Sequence, residues 1–401
     1  MRRIVVLILV VVFLVPGFAV AKSLERKLSD ASQLVGIASG SAFDTLAENI
    51  ADTAARSLPV ISSSAGFTYR YNPTLEVFER TSETLGPLYL ERPDTLGRGK
   101  FNVSVSFQYV EFNTFDGTNL TKLQNSDPIV VRTFDVAGNP TGFRADRLRY
   151  SLGLQNYITA VSFTYGVLDD LDVNLLVPII ATNMRVGVHA QQTATAGLDG
   201  VFTPSPGFER VGHDDGNAVG VGDLLLRAKY QLPRLDWLRS ALGLVMRLPS
   251  GSTSNFQGTG DVEISPFLYL STVLWDRVEP HVNLGIDYNA NNVSQSAARY
   301  GAGVDVDVTR RFNVNVGYLG RSEFEGLGGN TNFLHLHNGA TVEEPLLGLD
   351  FGRTDTSDLT FGMRVVVWRN IMLYANGIFA LNDSGLRNDT IIPAGGIEGT
   401  F

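Results

Sequence analysis

The 401-residue chain contains no cysteine, which excludes disulfides, thiolate metal sites and a cysteine nucleophile. A chain this long needs no covalent staples to fold. Basic residues are too few and too scattered for a nucleic-acid partner: 32 Lys and Arg stand against 41 Asp and Glu, a net charge of −9. Long hydrophobic runs are missing beyond the N-terminus, so no helix of the ~20 apolar residues that cross a bilayer is expected. No G-x-S-x-G nucleophile motif occurs, and neither an enzyme nor a cofactor carrier is expected.

What is present begins with Arg2 and Arg3, an apolar run from Ile4 to Val15, Pro16-Gly17 and then Ala19-Val20-Ala21. This is the pattern of a cleaved export signal over residues 1–21, with the cut near Ala21. Residues 22–98 read as a separate periplasmic segment and a candidate plug. Within it, Phe43, Leu46, Ile50 and Ala54 recur at helical spacing over residues 41–57. Residues 66–80 suggest a hairpin turning at Asn72-Pro73, before the turn-rich GPLYLERPDTLGRGK.

From residue 99 to 401 one pattern repeats. In GVGDLLLRAKYQLP, Asp223, Arg227 and Lys229 alternate with Leu224, Leu226, Ala228 and Tyr230. FNVSVSFQY, RLRYSLGLQ, HVNLGIDYN, RYGAGVDVDV and DLTFGMRVVVW sort in the same way. Successive strand residues point to opposite faces, so each segment has one greasy and one polar face. Segments of about ten such residues, with turns between, predict an all-β antiparallel transmembrane β-barrel. About twelve strands are expected, near 99–112, 145–165, 171–190, 219–231, 238–248, 260–275, 280–290, 298–308, 312–322, 357–368, 371–382 and 388–401. The 66–80 hairpin offers an alternative of fourteen. Short links alternate with longer connections, the longest being 113–144, 191–218 and 323–356, as outer-membrane barrels have short periplasmic turns and long outer loops.

Alternation alone does not say which face meets lipid. The aromatics do. Trp237, Trp275 and Trp368 all fall at short links, with Tyr165, Tyr230 and Phe312 beside them, as a membrane-interface girdle requires. The polar face carries Gly153, Gly243, Gly285, Gly301, Gly303, Gly317 and Gly362, small residues suited to a crowded lumen. Phe401, with Ile391 and Ile397 on one face of the last strand, resembles the signal read by the barrel-assembly machinery. The expected lumen-lining residues are Asp223, Arg227, Lys229, Arg239, Arg247, Glu263, Asp287, Arg299, Asp305, Asp307, Arg321, Asp358 and Arg364, together with Arg147 and Arg149. Asp223 is expected opposite Arg247.

Residues GVGDLLL (220–226), TYGVLDDLDVNLLVP (164–178), LPSGSTSNFQGTG (248–260) and ALNDSGLRNDTIIPAGGIEGTF (380–401) resemble the outer-membrane barrel family associated with the meta-pathway of phenol degradation. AGFTYRYNP (65–73) and GPLYLERPDTLGRGKFNV (86–103) extend the likeness. It implies passage of small, hydrophobic or aromatic solutes and supplies no binding residues. The sequence thus suggests a bacterial outer-membrane channel whose partners are lipid and lipopolysaccharide, the assembly machinery and a small solute. A non-transporting structural or adhesive barrel working through its long outer loops is the alternative. His213, Asp214 and Asp215 are expected in an outer loop, where a solvated polar role is preferred to a metal site.

Overall fold

A computed structural model describes residues 23–37, 41–64, 66–72, 77–80, 85, 88–235 and 237–401. The export signal expected over residues 1–21 lies outside the described residues. Twelve strands form the wall: β1 (Phe101–Phe112), β2 (Pro140–Gly166), β3 (Leu171–Ala196), β4 (Leu224–Gln231), β5 (Arg239–Leu248), β6 (Glu263–Ser271), β7 (Val278–Asn289), β8 (Ala297–Thr309), β9 (Phe312–Glu323), β10 (Asp355–Trp368), β11 (Ile371–Ala380) and β12 (Ile391–Thr400). Each pairs antiparallel with the next, and β12 pairs with β1 to close the barrel. The hairpin of Tyr69–Asn72 and Val77–Arg80 forms its own two-stranded sheet, so the wall has twelve strands and not fourteen.

The string that opens β4 sorts as its alternation demands. Leu226 and Tyr230 are exposed, whereas Asp223, Arg227 and Lys229 are buried inside. Val282, Leu284, Ile286 and Tyr288 on β7, and Leu359, Phe361, Met363, Val365 and Val367 on β10, likewise stand outside. The three tryptophans, Tyr165 and Tyr230 are exposed at the short-link end, and Phe312 is half-buried there. A second aromatic belt, not anticipated, lies across the wall. Tyr109 and Tyr157 have ring centroids 5.0 Å apart, and Tyr300 and Tyr318 are 6.2 Å apart. Tyr157 and Tyr165 share β2, so the belts are separated by roughly 26 Å of strand at ~3.3 Å per residue. At the ~40° tilt of such strands that is a rise of about 20 Å, near the ~25 Å of an apolar band.

β2 and β3 run for 27 and 26 residues, far longer than the ~9–11 a bilayer requires. Beyond the second belt their polarity inverts. Arg147, Arg149 and Ser151 are exposed, while Leu148, Tyr150, Leu152 and Leu154 turn inward and are buried. The expectation that Arg147 and Arg149 line the lumen is therefore corrected: they face outward, and so does Gly153. Outside the membrane band the solvent around the wall is water, so the usual polar-out arrangement returns without a change of face.

The long connections are not plain loops. Residues 113–144 contain strands Leu123–Gln124 and Ile129–Phe134 against β2, 191–218 contains strand Glu209–Val221 along β3, and 323–356 contains the hairpin Asn332–His337/Ala340–Pro345. His213, Asp214 and Asp215 accordingly sit in a strand, not a loop.

Two helices pack inside this extended end: α1 (Arg26–Leu34), which periodicity did not reveal, and α2 (Ser41–Ser57), at the expected residues. Leu24, Leu28, Ala31 and Val35, with Phe43, Leu46 and Ile50, form one core with the inward Leu148, Leu152, Met184, Val186 and Val188. In α1 the Ser32 hydroxyl bonds Leu28 O and the Tyr150 hydroxyl, both at 2.8 Å. The extended end is thus a hydrophobic core wrapped by sheet.

Candidate functional site

Below α2 the chain passes through the barrel twice. Residues 58–68 run past Ile61, which clusters with Leu88, Ala160, Leu176, Leu225, Tyr374 and Ala394 at mid-wall. Residues 88–98 then cross to the short-link end. Each step is tied to the wall by polar contacts. Asn283 Nδ2 donates to Glu91 O (2.9 Å), and Lys229 Nζ donates to Arg92 O (3.1 Å). Asp94 accepts from Arg234 (2.8 Å) and Arg239 (3.1 Å), and Leu96 N–H donates to Asp172 (2.8 Å).

The inward glycines explain how this run fits. A Cβ on Gly301, Gly303 or Gly317 would stand 2.6, 2.8 or 3.0 Å from the Leu90 methyls. Three glycines on β8 and β9 therefore form a seat for one leucine. Gly243 and Gly285 serve the wall itself, since a Cβ at either would run into the ring of Tyr269 or Phe267. Those two rings lie 5.6 Å apart and 13° from parallel.

All thirteen lumen-lining candidates on β4–β10 and the adjoining Asp223 stand on the inward face, and most are brought into ion pairs. Arg247 Nε meets Glu263 at 3.0 Å and reaches Asp223 only at 3.8 Å. The backbone register sets Arg247 against Leu225, and Asp223 instead accepts hydrogen bonds from the N–H groups of Gly251 (3.0 Å) and Thr259 (2.9 Å). Asp287 holds Arg299 at 2.8 Å and Arg321 at 3.8 Å. Asp305 lies 3.5 Å from His281, and Arg364 lies 3.5 Å from Glu398. Asp358 pairs with Arg387, and Asp307 accepts from Asn313 at 2.8 Å.

Sequence reasoning missed the charges supplied from the N-terminal side. Arg56, at the end of α2, is held by Asp52 (2.7 Å), Asp261 (2.9 Å) and Glu263 (2.7 Å). Glu91, Arg92 and Asp94 meet the wall as described. Their one signal was position: charges interleaved with leucines in a turn-rich run.

Between this N-terminal run and β4–β11 lies a cavity of ≈ 220 Å³. Its walls mix Arg227, Arg247, Glu263, Asp287, Arg299 and Arg321 with Phe267, Tyr269, Leu319, Phe351 and Ile378. Residues Leu58 to Ile61 separate it from a smaller, mostly apolar one of ≈ 50 Å³ against Ile158, Leu176 and Ile180. Near the extended end, His213 Nε2 lies 3.0 Å from Asp215 and Lys27 lies 2.9 Å from Asp214. Among the described residues no group of three or more His, Asp or Glu is arranged to hold a metal.

Closed, greasy outside between two aromatic belts and charged within, the wall is that of a twelve-stranded membrane-type β-barrel. The chain belongs to the family described as "Putative MetA-pathway of phenol degradation", whose model matches residues 131–331. No curated protein matches it in sequence. Among solved structures it is similar to the COG4313 outer membrane channel from Pseudomonas putida F1, at 10% identity over 77% of this chain and 97% of that one, TM-score 0.46. It is also similar to the NanC porin, at 9% identity over 74% and 98%, TM-score 0.37. A Pseudomonas aeruginosa FadL homologue follows at 10% identity over 76% and 89%, TM-score 0.32. With TM-scores below 0.5, these likenesses assign neither solute nor mechanism to this chain.

Proposed function

We propose that the protein is a channel of the bacterial outer membrane for passive passage of small, apolar or aromatic molecules. The observation that carries this reading is the ≈ 220 Å³ cavity, part apolar and part charged, held between a rigid wall and an irregular N-terminal run. Pockets for small organic ligands have this makeup, an apolar lining with a few placed polar groups. Twelve strands enclose more room than the eight whose side chains fill their own interior, and the described residues between 58 and 98 take up part of that room as a plug. Passage then requires the run from Leu58 to Leu96 to shift.

In this orientation the long connections and the two helices lie on the outer side, and the run 88–98 closes the periplasmic mouth. On this reading the part of residues 22–98 nearest the periplasm is the run 88–98. Lipid and lipopolysaccharide would cover the outward belt, Phe401 would be read by the assembly machinery, and the export signal would be cut near Ala21. The chain's role is transport and not catalysis.

Uptake of a small aromatic solute by intact cells, with and without the chain in their outer membrane, tests the proposal. Faster uptake in its presence is expected. Identical uptake, with no conductance in planar bilayers, would refute it.

A further inference from the structure

Among the described residues, one cation facing the cavity has no carboxylate within ion-pair distance. Arg227, inward on β4, is only 8% exposed and lines the cavity. Its Nη1 has no hydrogen-bond partner among the described residues. The other arginines on that cavity each hold a carboxylate, as shown for Arg56, Arg247 and Arg299. Glu91 is the carboxylate whose charge acts on Arg227, from beyond ion-pair distance, and its oxygens are already committed to the Ser63 N–H, the Ser64 hydroxyl and Lys229, the last at 3.6 Å. A buried guanidinium with an unfilled donor and no close anion is destabilising, and pairing would relieve it.

Two aromatic rings line the cavity with Arg227. Phe267 and Tyr269 lie nearly parallel on β6 because Gly243 and Gly285 leave the wall bare beneath them. Gly243 pairs directly with Lys229, two residues along β4 from Arg227, so the Tyr269 ring leans toward the strand that carries Arg227. A planar group stacks on such a surface, and a carboxylate takes a guanidinium through two parallel hydrogen bonds. An apolar cavity of roughly 150 Å³ holds one benzene. The ≈ 220 Å³ here admits a single substituted ring and little more.

We infer that this cavity is a binding station for single-ring aromatic carboxylates, the ring on Phe267 and Tyr269 and the carboxylate on Arg227. The inference rests on the channel reading and narrows its solute class. Neutral aromatics would stack on the same surface but leave Arg227 unpaired, so they would bind more weakly.

The test uses the full chain in detergent, titrated calorimetrically with benzoate and with benzyl alcohol. Benzoate is expected to bind more tightly. In Arg227→Gln the ratio of the two affinities should fall about tenfold or more, the size of one charge-assisted interaction. In Gly243→Val, which displaces the Tyr269 ring, both affinities should fall. Equal affinities in the wild type, or an unchanged ratio in Arg227→Gln, would overturn the inference. Thermal unfolding of each variant shows whether the fold is kept, and if Arg227→Gln does not fold, Arg227→Met replaces it. Single-channel conductance separates the two readings. Conductance without benzoate preference sinks the station and leaves the channel, while benzoate preference without conductance sinks the channel and leaves the station.

Discussion

Phe101 and Phe401, at the two ends of the barrel wall, exchange a pair of backbone hydrogen bonds. The Phe401 N–H donates to Phe101 O at 2.7 Å, and the Phe101 N–H donates to Phe401 O at 2.9 Å. The ladder between β12 and β1 thus extends to Phe401, and losing that residue would fray the seam. Each such bond contributes about 1 kcal/mol net. Ending the chain at Thr400 should therefore lower the yield of folded, heat-modifiable barrel more than Phe401→Ala, which keeps both backbone bonds. Equal, wild-type yields for both would contradict this account of the seam.

The polarity inversion along β2 makes opposite substitutions informative. Phe361, exposed at the middle of the outward band, should tolerate arginine badly, at about 2–4 kcal/mol. Ser151, outward but beyond the band, should accept arginine within about 0.5 kcal/mol. Leu152, inward at the same height and packed on the helices, should cost about 2–5 kcal/mol on truncation to alanine. Equilibrium unfolding in urea from lipid vesicles gives all three values.

The glycine seat predicts a gain of function. Valine at Gly317 would press on the Leu90 methyl and on the Thr360 hydroxyl, both about 3 Å from a Cβ there. The run around Leu90 should be displaced and mean conductance in planar bilayers should rise. Leu90→Ala should relieve the contact, so adding it to Gly317→Val should bring conductance back toward the wild-type value. Conductance that is the same in all three proteins would show that Leu90 does not obstruct the lumen.

A pH response is expected at the extended end. His337 Nδ1 lies 2.6 Å from Asp127, and this hydrogen bond and charge raise the pKa of the imidazole above its ordinary value. A raised folded-state pKa means the contact stabilises at low pH and is lost as pH rises through that value. Nearby His335 moves the other way: burial lowers its pKa, against Glu344, and it stays neutral over more of the range. The protection factors of the amides in residues 332–345, with the intrinsic pH dependence of exchange divided out, should fall between pH 5.5 and 8.5, and His337→Gln should remove the fall. Protection factors independent of pH in the wild type would contradict the tether.

Much of the wall was legible because a membrane strand writes its two faces into alternate positions. Residues 223–230, 281–289 and 358–367 stand where that rule puts them. The inverted stretch from Arg147 to Gln155 was not legible by the same rule. Its period is identical, and only the 27-residue length of β2 marks it as too long for lipid on every outward position. The lumenal contacts of Glu91, Arg92 and Asp94 were hidden for another reason. They lie on irregular backbone, which has no period to read. Helix α1 is nearly as opaque, since Ser29 and Ser32 occupy part of its buried face and dilute the apolar stripe.

On this fold the even-numbered side chains of β4 touch acyl chains and the odd-numbered ones do not. The chain has no native cysteine, so single cysteines placed from 224 to 230 can each carry a spin label without background. In proteoliposomes, collision with dissolved oxygen should be high at 224, 226, 228 and 230 and low at 225, 227 and 229. A uniform profile, or one with the parity reversed, would contradict the account.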